Sequence, residues 1–254
     1  MPGVTAAPPA AVLPTDDFDC EAGFSNWKAG WSEAKKSWCC ENKQRSCPGD
    51  PLPSKQDAAA SASPSAAPSP PVKDGGCLCL FDVDRTLTSK QSESCGQEVP
   101  GVTDTAFGGG QMRLSEVGQN LGATACGACE RGIISAGAAD GVGEREVLAR
   151  QIGVPDTFSP AGAVNGRLVF GCGNGQKQVA AQDILKWLES TQGVRIDPGN
   201  VYFFDDLGEN IPGFADAGMN AHQISCGGRD NNGELGLCGA TVSEIRLEKG
   251  ITMC

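Results

Sequence analysis

Histidine is nearly absent from this sequence: a single residue, His222, among 254. That scarcity excludes zinc and copper centres built mainly on imidazole. Positive charge is short as well, with 20 Lys and Arg against 31 Asp and Glu and a formal net charge of −11. Nucleic acids and anionic membrane surfaces reward clustered basic residues, so neither is expected as a partner. No stretch approaches the roughly 20 apolar residues of a membrane span, so no transmembrane segment is expected. The start, Met1 to Pro14, has neither a charged leader nor a continuous apolar core of signal-peptide length. An exported protein with this start would carry its signal outside the given sequence, and the chain would then be a fragment.

Cysteine, glycine and proline are plentiful instead, at 13, 35 and 16 residues. With one histidine beside them, the cysteines point to disulfides, thiolate metal sites or redox chemistry. Paired spacings and abundant loops favour disulfides, and with them an oxidising compartment: a secretory or organelle lumen, or the extracellular space, with the cytoplasm as the alternative. The odd count leaves at least one thiol over in a single chain, and Cys254 at the terminus is the expected one. Cys126-Gly-Ala-Cys129 has the CxxC spacing of thioredoxin-like motifs but precedes a strand, which favours a local or neighbouring disulfide over a redox centre. Cys226 and Cys238 bracket a loop, and with Cys95 and Cys172 they would staple loops around one end of the fold. A zinc site of four thiolates is the weaker reading of the same spacings.

Composition divides the chain. Residues 1–15 are rich in Pro and Ala and expected to be disordered. Residues 16–50 hold Cys20, Cys39, Cys40 and Cys47 with Trp27, Trp31 and Trp38, and the stripe Trp27, Trp31, Ala34, Trp38 predicts an amphipathic helix. So short a segment needs cross-links to hold a fold. Its plain reading is a small stapled module, and its sharper one a tryptophan-lined surface for a protein partner. Residues 51–76 collapse to Pro, Ser and Ala and read as a linker, which leaves 77–254 as one α/β domain.

That domain is organised around Leu80-Phe-Asp-Val-Asp-Arg-Thr-Leu-Thr88. An apolar run from Cys77 to Phe81 predicts a buried strand, after which Asp82 and Asp84 emerge on one face at period two. Paired carboxylates repel unless a cation lies between them or chemistry uses them. Arg131 to Ser135 predicts a second strand ending in a hydroxyl, and Val201 to Phe204 a third, stopped by Asp205 and Asp206. Helices are predicted over Met112 to Leu121, Glu144 to Ile152, Gln176 to Thr191 and Glu209 to Ala217. Asn165-Gly166 predicts a hairpin, Ala221 to Ser225 a short strand, and the capping-box spacing of Thr241 and Glu244 a final helix. Strands alternating with helices imply a parallel, Rossmann-like α/β/α sheet, whose ligands bind beyond the carboxyl ends of the strands.

Taken together, Asp82-Val-Asp-Arg-Thr-Leu87, Ser135 after Ile133-Ile134, Lys177 at a helix start and Phe203-Phe-Asp-Asp206 resemble, in order, the four motifs of the haloacid dehalogenase (HAD) superfamily over residues 77–226. The segment Val147 to Met219 is most similar to its small phosphatases. The resemblance implies a Mg²⁺-dependent phosphohydrolase. In it Asp82 forms an aspartyl-phosphate, Asp84 acts as general acid and base, and Ser135 and Lys177 bind the phosphoryl group. Mg²⁺ would be held by Asp82, the Asp84 carbonyl and Asp206, with Asp205 behind them. Arg85, Thr86 and Asn210 would lie on the substrate side, Asn210 where many relatives carry another acid. Arg85 departs from the family, which commonly has glycine there. Residues 88–130 are too short and glycine-rich for a large cap, so little or no cap is expected, and an open site tends to accept large or macromolecular phosphoesters. The alternative is a HAD-fold domain without catalysis, tethered through the Cys/Trp module to a secreted or lumenal assembly.

Overall fold

The computed structural model describes residues 20, 28, 32–43, 46–47, 73–227 and 236–254. The expectations for residues 1–15, for most of the linker, and for Trp27 and Trp31 lie outside these. The chain divides into two units, Met1–Pro68 and Ser69–Cys254.

In the first unit, helix α1 spans Glu33–Lys43. The Ser32 hydroxyl caps it by accepting a hydrogen bond from the Lys35 amide at 3.3 Å. Adjacent helical residues point about 100° apart. Cys39 and Cys40 therefore reach different partners, Cys20 and Cys47. Of the predicted stripe, Trp38 is half-buried and Ala34 exposed, and the one buried helix position is Cys39. Two cross-links anchor this helix.

The second unit contains strands β1 (Lys73–Asp74), β2 (Leu78–Phe81), β3 (Gln97–Asp104), β4 (Gly110–Leu114), β5 (Glu130–Ile134), β6 (Phe158–Pro160), β7 (Leu168–Phe170), β8 (Val194–Arg195), β9 (Val201–Asp205), β10 (Asn220–Gln223) and β11 (Ile251–Thr252). Its helices are α2 (Glu116–Asn120), α3 (Glu144–Ile152), α4 (Lys177–Trp187) and α5 (Gly213–Asp216). Seven strands form one sheet in the order β11-β10-β9-β2-β5-β7-β6. All of its pairings are parallel. This is a Rossmann-like α/β arrangement, as the alternating pattern predicts.

Period-two burial builds the layers. Leu78, Leu80, Val201, Phe203 and Val169 face α4 and α5 and pack with Ala180, Ile184 and Phe214. Cys79, Phe81, Tyr202, Phe204 and Ile133 face the other way, toward Val147, Leu148 and Ile152 of α3. Strands buried on both sides explain the continuous apolar runs in β2 and β9.

The linker composition overreaches its boundary, because Lys73–Asp74 already pairs in parallel with β8. The stretch Met112 to Leu121 is not one helix. Met112 and Leu114 turn inward on β4, and Ser115 then starts α2 by accepting from the Gly118 amide at 3.0 Å. Asn165-Gly166 makes no hairpin. The Asp156 carboxylate binds both the Arg167 amide and its guanidinium at 2.8 Å, bringing the chain back to the start of β6, so β6 and β7 run parallel. The capping box of Thr241 and Glu244 forms but closes only a 3₁₀ turn, Val242–Glu244.

Among the described residues there are six disulfides. They suggest an oxidising compartment. Cys77 and Cys79 project from one face at strand spacing, and Cys126 and Cys129 lie one 3₁₀ turn apart. The spacings match, giving Cys77–Cys129 and Cys79–Cys126. Cys95 pairs with Cys238 and Cys226 with Cys254, so the terminal cysteine is not the odd one; buried Cys172 is. No helix among the described residues is long and apolar enough to cross a membrane. Replacing Cys79 and Cys126 together by Ala is expected to cost about 2–5 kcal/mol of unfolding free energy. Denaturant midpoints of the double variant and the parent measure it.

Candidate active site

The register places three chain ends at one level. Phe81 pairs with Phe204 on one side and Ile133 on the other. The Asp82 amide donates to Phe204 O at 2.9 Å, and the Ser135 amide to Val169 O at the same distance. Asp82, Asp205, Asp206 and Ser135 therefore gather at the carboxyl ends of β2, β9 and β5, as the strand pattern predicts. Helix α4 brings Lys177 to them as its first residue. Its Nζ lies 2.5 Å from Asp82 Oδ1 and 2.7 Å from Asp205 Oδ2.

Asp205 is held by three donors: its carboxylate accepts from Lys177, from Asn210 Nδ2 at 2.9 Å and from the Leu207 amide at 2.7 Å. Asn210 in turn accepts from the Gly175 amide at 2.7 Å, tying the loop before α4 to the end of β9. Oxygens of Asp82, Asp205 and Asp206 all lie within 4.8 Å of one another, so the three could hold a metal ion. With three hydrogen bonds on Asp205, the stronger claim on a cation falls to Asp82 and Asp206.

Asp84 and Ser135 face the same spot. A Cβ on Gly137 would stand 3.6 Å from Asp84 Oδ2 and 3.7 Å from Ser135 Oγ. The Ser135 and Thr86 hydroxyls are buried without a hydrogen-bond partner. Two residues that the motifs do not mark add like charge beside Asp84, namely Asp104 at the end of β3 and Glu144 at the start of α3. Another such residue is Phe107, at the tip of the β3–β4 hairpin, over whose ring the Arg85 guanidinium lies. Nothing in local spacing marks these three, because the hairpin and α3 reach the site only through the tertiary fold.

Arg85 has φ 60° and ψ 17°, the left-handed region. The turn forces it: the Thr88 amide and hydroxyl both donate to Val83 O, at 3.0 and 3.1 Å, closing the chain in a single loop around Arg85. Glycine takes that conformation at little cost, whereas a side chain is strained there.

No family model matches the chain. No curated protein matches it either. The site is therefore weighed on its own electrostatics. Burial pushes Asp82 up to about 8, and Asp205 and Asp84 add to this against the pull of Lys177. Burial likewise raises Asp206 to about 8, with Asp82 and Asp205 contributing, and Asp84 to about 7, with Asp104 and Glu144 contributing. Burial alone would lower Lys177, yet Asp82 and Asp205 reverse this and hold it charged. A buried cluster of oxygen donors with an excess of negative charge fits a hard divalent cation. A cavity of about 750 Å³ lies at the amino ends of the strands beside Asp197 and Asn200, and none of these groups lines it.

A carboxyl whose pKa is higher in the folded than in the unfolded state stabilises the fold below the unfolded value and loses that contribution as pH rises through the folded one. For Asp82 and Asp206 the window runs from 3.8 to about 8. The metal-free protein is thus expected to melt at a lower temperature at pH 8 than at pH 6. A divalent cation should raise the midpoint most at pH 8. Thermal melts with chelator and with added cation, at both pH values, check this.

Proposed function

We propose that the chain is a Mg²⁺-dependent phosphohydrolase of the HAD type, acting on a phosphomonoester through an aspartyl-phosphate. What supports this above all is the ammonium of Lys177 set between Asp82 and Asp205, at 2.5 and 2.7 Å, with Asp206 in the same cluster. That residues of the four resembling motifs, far apart in sequence, lie at one end of the sheet supports the same reading.

An oxygen of Asp82 attacks phosphorus and the bond to the leaving group breaks, while Asp84 gives its proton to the departing oxygen. An acid that titrates at about 7 is suited to that role near neutrality. In the second step Asp84 takes a proton from water, which attacks phosphorus, breaks the acyl-phosphate bond and frees inorganic phosphate. Lys177 and Ser135 bind the phosphoryl oxygens. The buried, unpartnered Ser135 hydroxyl supports this, since it has a hydrogen bond to give. Asp82, Asp206 and the Asp84 carbonyl would hold Mg²⁺, with Asp205 positioning Lys177. When bound, the ion supplies positive charge that keeps Asp82 ionised and offsets charge building on the phosphoryl group. Asn210 positions Asp205, and Thr86 offers a hydroxyl on the substrate side.

Turnover of p-nitrophenyl phosphate with Mg²⁺ tests the reading. Asp82→Asn is expected to lower kcat by at least ~10³-fold, as removal of a covalent nucleophile does. Equal turnover in wild type and Asp82→Asn, or none in wild type, would replace it with a binding domain that lacks catalysis.

A further inference from the structure

Arg85 has no part in the two chemical steps, yet the protein places it at some cost. The residue is 4% exposed, and its Nε and Nη1 have no hydrogen-bond partner. Burying a guanidinium forfeits the water its N–H groups would otherwise bind. Its backbone is left-handed, at φ 60°, and so is that of Phe107, at φ 50°. Their stacking, 3.9 Å from guanidinium carbon to ring centroid, is thus made between two strained residues. Backbone strain collects where function needs a particular geometry.

The geometry limits what the donors can meet. Phe107 covers one face of the guanidinium; the N–H groups lie in one plane at its edge, where Nε and Nη1 are buried with their hydrogen bonds unspent. An oxyanion with two oxygens, a phosphate or a carboxylate, matches that edge. Lys177 is already engaged with Asp82 and Asp205, so Arg85 adds a separate cation to the site. Its charge is felt at Asp206 of the acidic cluster.

We propose that Arg85, backed by Phe107, is a second anion subsite, so that preferred substrates carry a second oxyanion, phosphate or carboxylate, beside the scissile phosphomonoester. The substrate class rests on the phosphohydrolase reading; the anion subsite rests on Arg85 and Phe107 alone.

The test compares kcat/KM of the full chain with Mg²⁺ for propyl phosphate, 3-(phosphonooxy)propanoate and propane-1,3-diyl bisphosphate. Wild type is expected to favour a doubly anionic compound by about tenfold or more, the size of a charge-assisted hydrogen-bond pair. The two compounds separate carboxylate from phosphate as the second anion. In Arg85→Gly, which suits the left-handed backbone, the ratio over propyl phosphate should fall to about one. Arg85→Lys, which keeps the charge without the planar fork, and Phe107→Ala should give intermediate ratios. No preference in wild type, or the same preference in Arg85→Gly, overturns the proposal. An equal loss on all three compounds leaves the ratio intact and assigns Arg85 to the reacting phosphoryl group instead. If wild type hydrolyses none of them, the phosphohydrolase reading fails. Calorimetry with propane-1,3-diyl bisphosphonate and propylphosphonate then decides the subsite: tighter bisphosphonate binding in wild type but not in Arg85→Gly sustains it, and equal binding overturns it.

Discussion

The buried ammonium of Lys177 between Asp82 and Asp205 is the contact on which the carboxyl end of this sheet depends. Three carboxyl groups from two neighbouring strands converge there, and in a low-dielectric interior ionising them together is costly, which is why Asp82 and Asp206 are pushed up to about 8. Lys177 is 1% exposed and binds two of them directly. It can do so only because α4 begins at that residue, after a loop whose Gly175 is held by Asn210. Asn210 also holds Asp205. Helix start, loop and strand end thus share one hydrogen-bond network, and loss of any member loosens the others.

At the opposite pole the sheet is tied covalently. Two disulfides join the start of β2 to the turn that leads into β5, so these neighbours are clamped at the end where the charged residues Glu130 and Arg167 are paired with each other. The strain of crowded like charge is confined to the carboxyl ends. The hairpin between β2 and β5 is tethered as well, through Cys95 to Cys238 in the segment that follows β10. A short insert with little core of its own holds its position over Arg85 partly through that cross-link.

Much of this was legible in the sequence. Apolar runs in β2 and β9 predict strands buried on both faces, and polar residues just beyond them predict a site at one end of the sheet. Those signals are local, and local physics decides them. The failures have a common origin. Asn165-Gly166 has the residues of a hairpin turn, but the ion pair of Asp156 and Arg167 overrides the turn preference. Leu114 has helical spacing with Val117 and Leu121, yet pairing with β3 and the Ser115 cap divide the segment. Cysteine pairing depends on which chain ends meet, so counting could require an unpaired thiol but could not choose Cys172 over Cys254. Phe107, Asp104 and Glu144 escaped for the same reason.

Arg85 joins the sequence anomaly to the structural one. Where the resembling family commonly has glycine, the turn closed by Thr88 on Val83 requires left-handed backbone, so glycine would be the unstrained choice. A side chain persists at such a position only if the surroundings over-determine it. Here the determining partner is Phe107, on a hairpin too small to cap the site. One ring from that insert covers one face of one cation, and this leaves the guanidinium edge as the direction in which it can bond. A position that glycine would fill without strain thus carries a buried cation, held in place by one aromatic ring from a short hairpin rather than by a cap domain.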